Sequence, residues 1–272
     1  MRAAYNRRCL ALVLEEFDSA VITFLPIRAP RRRAPFNLGE LVDTLIGQEL
    51  MDGDILVVSS KFIAVSEGRV VDLDTVVPSA RAASLSGRLN ISPQLCELVI
   101  RESDDVIGGV AGFMLTLKEG LLTPNAGIDK SNIEHGKVVL YPRSPSESAT
   151  GLVEEVRFRR GVEIGVVVSD SRLMPTRKGT VGVALAAAGM EAIVDLRGKP
   201  DLFGNVLKVT SQAVADDLCS GAQIVMGEAN ESVPLVLVRG LATSIGMSYR
   251  MSSFAVDPEQ CVYMRSLGYR AR

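Results

Sequence analysis

Histidine is nearly absent from this chain: His135 is the only one in 272 residues, and there is no tryptophan. A zinc centre built on imidazoles needs two or three of them, and a Ser-His-Asp triad needs one well placed. Chemistry must therefore rest mainly on carboxylates, lysines, hydroxyls and backbone groups. Oxygen ligands of that kind suit Mg²⁺ or Mn²⁺. Cysteine pairing is missing too. Cys9, Cys96, Cys219 and Cys261 are scattered, with no C-x-x-C pair, and read as reduced, mostly buried thiols of a cytoplasmic protein. No apolar run approaches the roughly 20 residues that span a bilayer. The run after the N-terminal arginines is too short for a signal peptide. A net charge of −2 gives no reason to expect nucleic acid as the main partner. Neither G-x-x-x-x-G-K-[ST] nor G-x-G-x-x-G after a strand occurs, and the glycines of "GGVAGF" (108–113) have other spacing. A nucleotide site here is not one of the common kinds.

What is present is a chain long enough for one large domain or two modest ones, with 47% apolar residues and hence a sizeable core. "NLGELVDTLIGQEL" reads as a helix capped by Asn37, with Glu40 close to a capping-box position. "SPQLCELVIRES" reads as another, with Ser92 as cap and Pro93 at its first position. "ILVV" (55–58) is a buried-strand candidate with Ser60 and Lys61 at its end. "GFMLTLKEGLLTPNAG" suggests two strands and a turn. "YPRSPSES" (141–148) is the best linker candidate, followed by a helix from about Ala149 to Arg160 that Gly161 ends. "VEIGVVVSD" is a buried strand delivering Asp170 at its end, and "MEAIVDL" and "PLVLVRG" are further strands. "SQAVADDLCSGAQIVMGEA" is a long helix with Thr210 or Ser211 as cap, and "DPEQCVYMRSLGY" a last helix capped by Asp257. Strands and helices do not alternate regularly. The expected class is α+β with largely antiparallel sheets and packed helices, not a doubly wound parallel fold. The parts are 21–145, 146–250 and a C-terminal helix within 251–272, with the first two free to interleave.

Three acids stand where elements end: Asp129 in "TPNAGIDKSN", Asp170 in "VVVSDS" and Glu228 in "VMGEANES". Carboxylates at such places can converge on a cation without burying charge in the core. Taken singly, each reads more simply as a cap or a turn acid, and spacing alone does not make them converge. "SDSRLMPTRKGTVGVA" (169–184) adds Arg172, Arg177 and Lys178, either as charge to set against a polyphosphate or as an exposed basic loop. "RAPRRRAPFN" (28–37) is a solvated loop or a basic rim near an anionic ligand.

Together "TPNAGIDKSN", "VVVSDS", "DLFGNVLKVTSQAVADDLCSGAQIVMGEA" and "PLVLVRG" resemble the coenzyme F-420 gamma-glutamyl ligase family, over roughly residues 22 to 240. The resemblance implies that family's fold, an intertwined homodimer, and transfer of L-glutamate onto the lactyl-phospho form of a deazaflavin coenzyme with GTP as co-substrate. It implies two divalent cations, Mg²⁺ or Mn²⁺, on Asp129, Asp170, Ser171 and Glu228, with K⁺ as a further candidate. It places nucleotide contacts on Leu25, Pro26, Ile27 and Arg28, on Ser60 and Lys61, on Asn132, on Ser171, and on Met226, Gly227, Ala229 and Asn230. Phosphoryl transfer of this kind needs charge neutralisation and no histidine. The sequence departs from the family at Val65, where a lysine is usual, and in "RLMPTRKGT", where the loop is usually more aromatic. Those departures leave room for a related ligase with another acceptor, or for a nucleotide-binding protein without catalysis.

Overall fold

The run Ile55–Val58 is apolar at every position, which suits a strand only when both faces of its sheet are covered. In the computed structural model, which describes residues 21–246, 249 and 254–270, this run lies at the centre of a five-stranded sheet. The strands are β1 (Thr23–Ile27), β2 (Ile55–Ser59), β3 (Val70–Asp72), β4 (Asp105–Val110), β5 (Phe113–Lys118), β6 (Leu121–Pro124), β7 (Lys137–Val139), β8 (Gly165–Leu173), β9 (Thr180–Ala188), β10 (Val194–Asp195), β11 (Ser211–Gln212) and β12 (Leu235–Arg239). The helices are α1 (Leu38–Ile46), α2 (Ser60–Ser66), α3 (Ala80–Leu89), α4 (Pro93–Glu102), α5 (Pro145–Arg160), α6 (Val214–Met226) and α7 (Val262–Ser266).

The central sheet has the order β1-β12-β2-β8-β9. Only β2 and β8 run parallel, and the other neighbours are antiparallel. Leu56 and Val58 pack with Val42 of α1 and with Leu152 and Val156 of α5. Ile55 and Val57 pack with Ala215, Leu218 and Ala222 of α6. Each face of β2 thus meets a helix layer, which explains its unbroken apolar run. A smaller antiparallel sheet, β4-β5-β6, packs with α3 and α4 around Leu95, Val99 and Met114. The class is α+β with mixed sheets. The central sheet takes β1 and β2 from before residue 145 and β8, β9 and β12 from after it.

Local signals decided several elements as expected. Asn37 Oδ1 accepts from Glu40 N at 3.1 Å, and Ser92 Oγ from Leu95 N at 3.3 Å. Gly161 closes α5 in the left-handed conformation, at φ 71°. Other expectations are corrected. "YPRSPSES" is no linker: Tyr141 is buried, Ser144 Oγ accepts from Glu147 N at 3.3 Å, and α5 begins at Pro145. A hydroxyl cap followed by proline is a helix start. Neither Thr210 nor Ser211 caps α6. Ser211 and Gln212 pair with Asp195 and Val194, and no side chain caps the helix at Ala213. In "MEAIVDL" only Val194 and Asp195 form a strand. The last helix is short, and Asp257 caps the turn before it, accepting from Glu259 N at 2.9 Å.

Cys96 and Cys219 are buried free thiols and Cys261 is half-buried, while Cys9 lies outside the described residues. Among the described residues no helix is long and apolar enough to cross a membrane.

Candidate active site

Asp129 follows a run of left-handed backbone: Asn125, Ala126 and Gly127 have φ of 51°, 53° and 74°. Such values are strained for Asn and Ala and persist only where surrounding contacts enforce them. Asn125 Oδ1 accepts from Met114 N at 2.8 Å, and Ala126 N donates to Thr116 Oγ1 at 3.1 Å. At Gly127 a Cβ would stand 2.6 Å from the Tyr141 ring. The loop is thus pinned between β5 and Tyr141. Beyond it Asp129 N donates to Val139 O at 2.9 Å, and Val139 N donates to Asp129 O at 2.8 Å.

The Asp129 carboxylate meets Lys61 Nζ at 2.6 Å and accepts from Ser131 N at 2.6 Å and from Ser131 Oγ at 3.1 Å. Partial burial pushes its pKa up, but the Lys61 charge and the bonds from Lys61 and Ser131 outweigh burial and hold it below the usual aspartate value. Lys61 lies in the first turn of α2 and also donates to Ser131 Oγ at 2.7 Å.

Asp170 is not at the end of its strand, because β8 continues to Leu173. Its Oδ1 accepts from Ser60 Oγ at 2.8 Å and its Oδ2 from Arg172 Nε at 2.9 Å. Arg172 is not part of an exposed basic loop: only 6% of it is exposed. Its Nη1 donates to Leu122 O at 3.1 Å and to Thr123 Oγ1 at 2.7 Å, which ties β8 to β6. Among the described residues, Arg172 Nη2 and the Tyr141 hydroxyl are buried without hydrogen-bond partners of good geometry. Burial, with Glu119 adding to it and Arg172 opposing, raises the Tyr141 pKa above the ordinary phenol value.

Glu228, just past α6, takes donors from three elements. Ser171 Oγ reaches its Oε1 at 2.7 Å and Thr180 Oγ1 at 2.6 Å, and Gln223 Nε2 donates to the same oxygen. Asn132 Nδ2 donates to Ala229 O at 2.6 Å, joining the Asp129 loop to the segment after α6.

These groups line one cleft of about 810 Å³. Asp129, Asp170, Ser171, Glu228, Ser60, Lys61, Asn132, Met226, Gly227, Ala229 and Asn230 all lie on its wall. Leu25, Pro26, Ile27 and Arg28 do not. The first three lie in β1, the sheet edge paired with β12, and the wall begins at Ala29 and continues through Arg33. The arginine triplet 31–33 therefore rims the cleft. Sequence reading missed Thr123, Thr180 and Gln223. It also misplaced Arg172, although an Asp and an Arg two apart on a strand share a face and can pair.

The donor set is all oxygen, three carboxylates and the Ser171 hydroxyl, and by its chemistry it fits a hard divalent cation. Each carboxylate already has protein partners, and among the described residues no three acid, histidine or cysteine side chains are close enough to hold an ion together. Binding would require Lys61 to leave Asp129.

The profile of the family described as F420-0:Gamma-glutamyl ligase matches residues 27–240. The coenzyme F420:L-glutamate ligase of Methanocaldococcus jannaschii is 38% identical over 211 residues, covering 77% of this chain and 83% of that protein. The ligase of the same name from Methanothermobacter thermautotrophicus is 37% identical over 195 residues, 71% of this chain and 77% of that protein. That of Methanopyrus kandleri is 36% identical over 218 residues, 79% and 86% of the two chains. The matched span contains every wall residue named above, and the chain belongs to the F420-0:gamma-glutamyl ligase family.

Proposed function

We propose that the chain is a GTP-dependent ligase that joins L-glutamate by an amide bond to the lactyl-phospho precursor of the deazaflavin coenzyme F-420, starting a gamma-glutamyl tail. The observation that carries this reading is that Asp129, Asp170, Ser171 and Glu228 line one cleft with Lys61, in a chain whose relatives are named coenzyme F420:L-glutamate ligase.

A carboxylate oxygen of the precursor attacks the γ-phosphorus of GTP, and the bond to the GDP oxygen breaks. The glutamate amine then attacks the acyl carbon of the resulting acyl phosphate, a proton leaves nitrogen, and phosphate departs. The first step concentrates negative charge, so positioning and neutralisation do most of the work. Two Mg²⁺ or Mn²⁺ ions on Asp129, Asp170, Ser171 and Glu228 would supply that neutralisation. Lys61, released from Asp129, carries its ammonium to a phosphate oxygen. Ser60 and Arg172 hold the Asp170 carboxylate in place. Asn132 fixes the segment from Gly227 onward against the loop of Asp129.

The same reading makes the protein a cytoplasmic homodimer. The surface that supports a dimer is the ribbon of β10 and β11, whose turn leaves Leu202 and Phe203 almost fully exposed. Sedimentation of the Phe203→Asp variant beside the unaltered chain tests this directly.

The deciding experiment measures GTP-dependent phosphate release with Mn²⁺ and L-glutamate, with and without the deazaflavin precursor, and weighs the products. A mass gain of one or more glutamyl units coupled to GDP formation is expected. Turnover with another carboxylate, and none with the precursor, would overturn the acceptor assignment. Val65, buried on the cleft wall, favours that second reading because it removes a cation from the site.

A further inference from the structure

The cleft wall is mostly polar, yet Phe113 and Leu173 line it with apolar side chains 46% and 45% exposed. The other large apolar residues on the wall are better covered. Phe62 packs on Phe36 with ring centroids 5.0 Å apart, and Ile128, Met226 and Val233 are buried. Phe113 opens β5 and Leu173 ends β8. Arg172, beside Leu173, bonds Leu122 O and Thr123 Oγ1 on β6, and β6 pairs with β5. That clamp holds the end of β8 against the small sheet that carries Phe113. Nearby, Asn125 Oδ1 takes Met114 N, and Pro124 has no N–H to offer. Asn132 and Ala229, bonded to each other, belong to the wall proposed above for the nucleotide.

We propose, resting on the ligase reading, that Phe113 and Leu173 form an apolar shelf that takes the planar tricyclic ring of the deazaflavin acceptor. A large flat ring needs apolar area and an aromatic face to stack on. The shelf makes Phe113 a specificity-determining residue for the acceptor and leaves the nucleotide to the wall of Asn132 and Ala229.

The test is equilibrium binding of the F-420 precursor, followed by the deazaflavin's own fluorescence, with GTP affinity measured separately by calorimetry. Phe113→Ala is expected to weaken precursor binding roughly tenfold, the scale of one lost aromatic stack. Phe113→Tyr should bind nearly as the unaltered chain does, and GTP affinity should be the same in all three. Leu173→Ala, at an equally exposed position, should weaken precursor binding less. If the unaltered chain binds the precursor and Phe113→Ala binds it equally well, the shelf is wrong and the ligase reading stands. A parallel loss of GTP and precursor affinity in Phe113→Ala also refutes the shelf, since it marks a general disturbance. Should the unaltered chain fail to bind the precursor at all, both the ligase reading and the shelf fall.

Discussion

Replacing Arg172 by Gln should destabilise the fold by about 2–3 kcal/mol. The estimate starts from the cost of removing one partner of a buried ion pair, about 3–5 kcal/mol. Arg172 makes one such pair, to Asp170 at 2.9 Å, and two hydrogen bonds to neutral acceptors, Thr123 Oγ1 at 2.7 Å and Leu122 O at 3.1 Å. Two features reduce the cost. The Asp170 side chain is 20% exposed, so water partly replaces the guanidinium. The substitution also removes Nη2, which is buried without a hydrogen-bond partner among the described residues. At roughly 2–4 °C per kcal/mol for a chain of this size, the melting temperature should fall by about 5–10 °C. Differential scanning calorimetry at neutral pH measures it. Asp170→Asn in both backgrounds completes a double-mutant cycle, and a coupling of at least ~1 kcal/mol is expected for residues in contact. A change below ~1 °C, with no coupling, would mean that the pair is worth no more than an exposed one, and that β8 is not held to β6 through Arg172.

Four other outcomes follow from the geometry. The Asp129 pKa is depressed by Lys61 and Ser131, so its contribution to stability is present above the ordinary aspartate range, about 3.9, and is lost as pH falls through the lowered value. Lys61→Met should therefore lower the urea midpoint at pH 7 by more than it does at pH 3, and an equal loss at both would refute the assignment. Gly182→Ala should cost about 1–3 kcal/mol or more, because a Cβ there would collide with the Cys219 carbonyl of α6. Gly151→Ala, in α5 with open space around it, should be neutral or stabilising by ~0.5–1 kcal/mol in the same denaturation assay. Burial holds the Cys219 thiol far above its ordinary pKa, so iodoacetamide at pH 8 should leave it unmodified until the chain is unfolded, while half-buried Cys261 reacts; peptide mass mapping reads both.

The parts legible in the sequence are those decided within a few residues. The caps at Asn37 and Ser92, the stop at Gly161 and the doubly covered strand Ile55–Val58 each follow from local chemistry or from an unbroken apolar run. The three acids were legible as candidates, since each stands near a turn or an element end with small hydroxyl neighbours. Arg172 was not. Its burial depends on Leu122 and Thr123, some 50 positions earlier, and nothing near it in the chain announces them. Helix α2 was hidden because "SKFIAVS" directly follows β2 with no glycine or proline between them. Its N-cap, Ser59, makes no side-chain capping bond.

Strand β9 shows how a long-range feature sets the site. "TVGVALAAA" lacks alternation, and as written it gives no period. The ladder explains why: Val168 pairs with Ala186, but Ser169 pairs with Ala184, so Leu185 is an extra residue in β9. Leu185 and Ala186, adjacent in sequence, therefore enter the same core on the α1 and α5 side, while Ala184 and Ala187 enter the core against α6. A bulge of this kind shifts everything beyond it by one position. Here the shift aligns Gly182 with Ser171 and Thr180 with Leu173. Gly182 then comes against α6, where only a glycine fits, and Thr180 Oγ1 reaches Glu228 at 2.6 Å. With the regular register, the side chains from Thr180 to Ala184 would face the opposite way, and Glu228 would lose one of its hydroxyl partners. The bulge thus lets a strand that is core at one end become a wall of the cleft at the other.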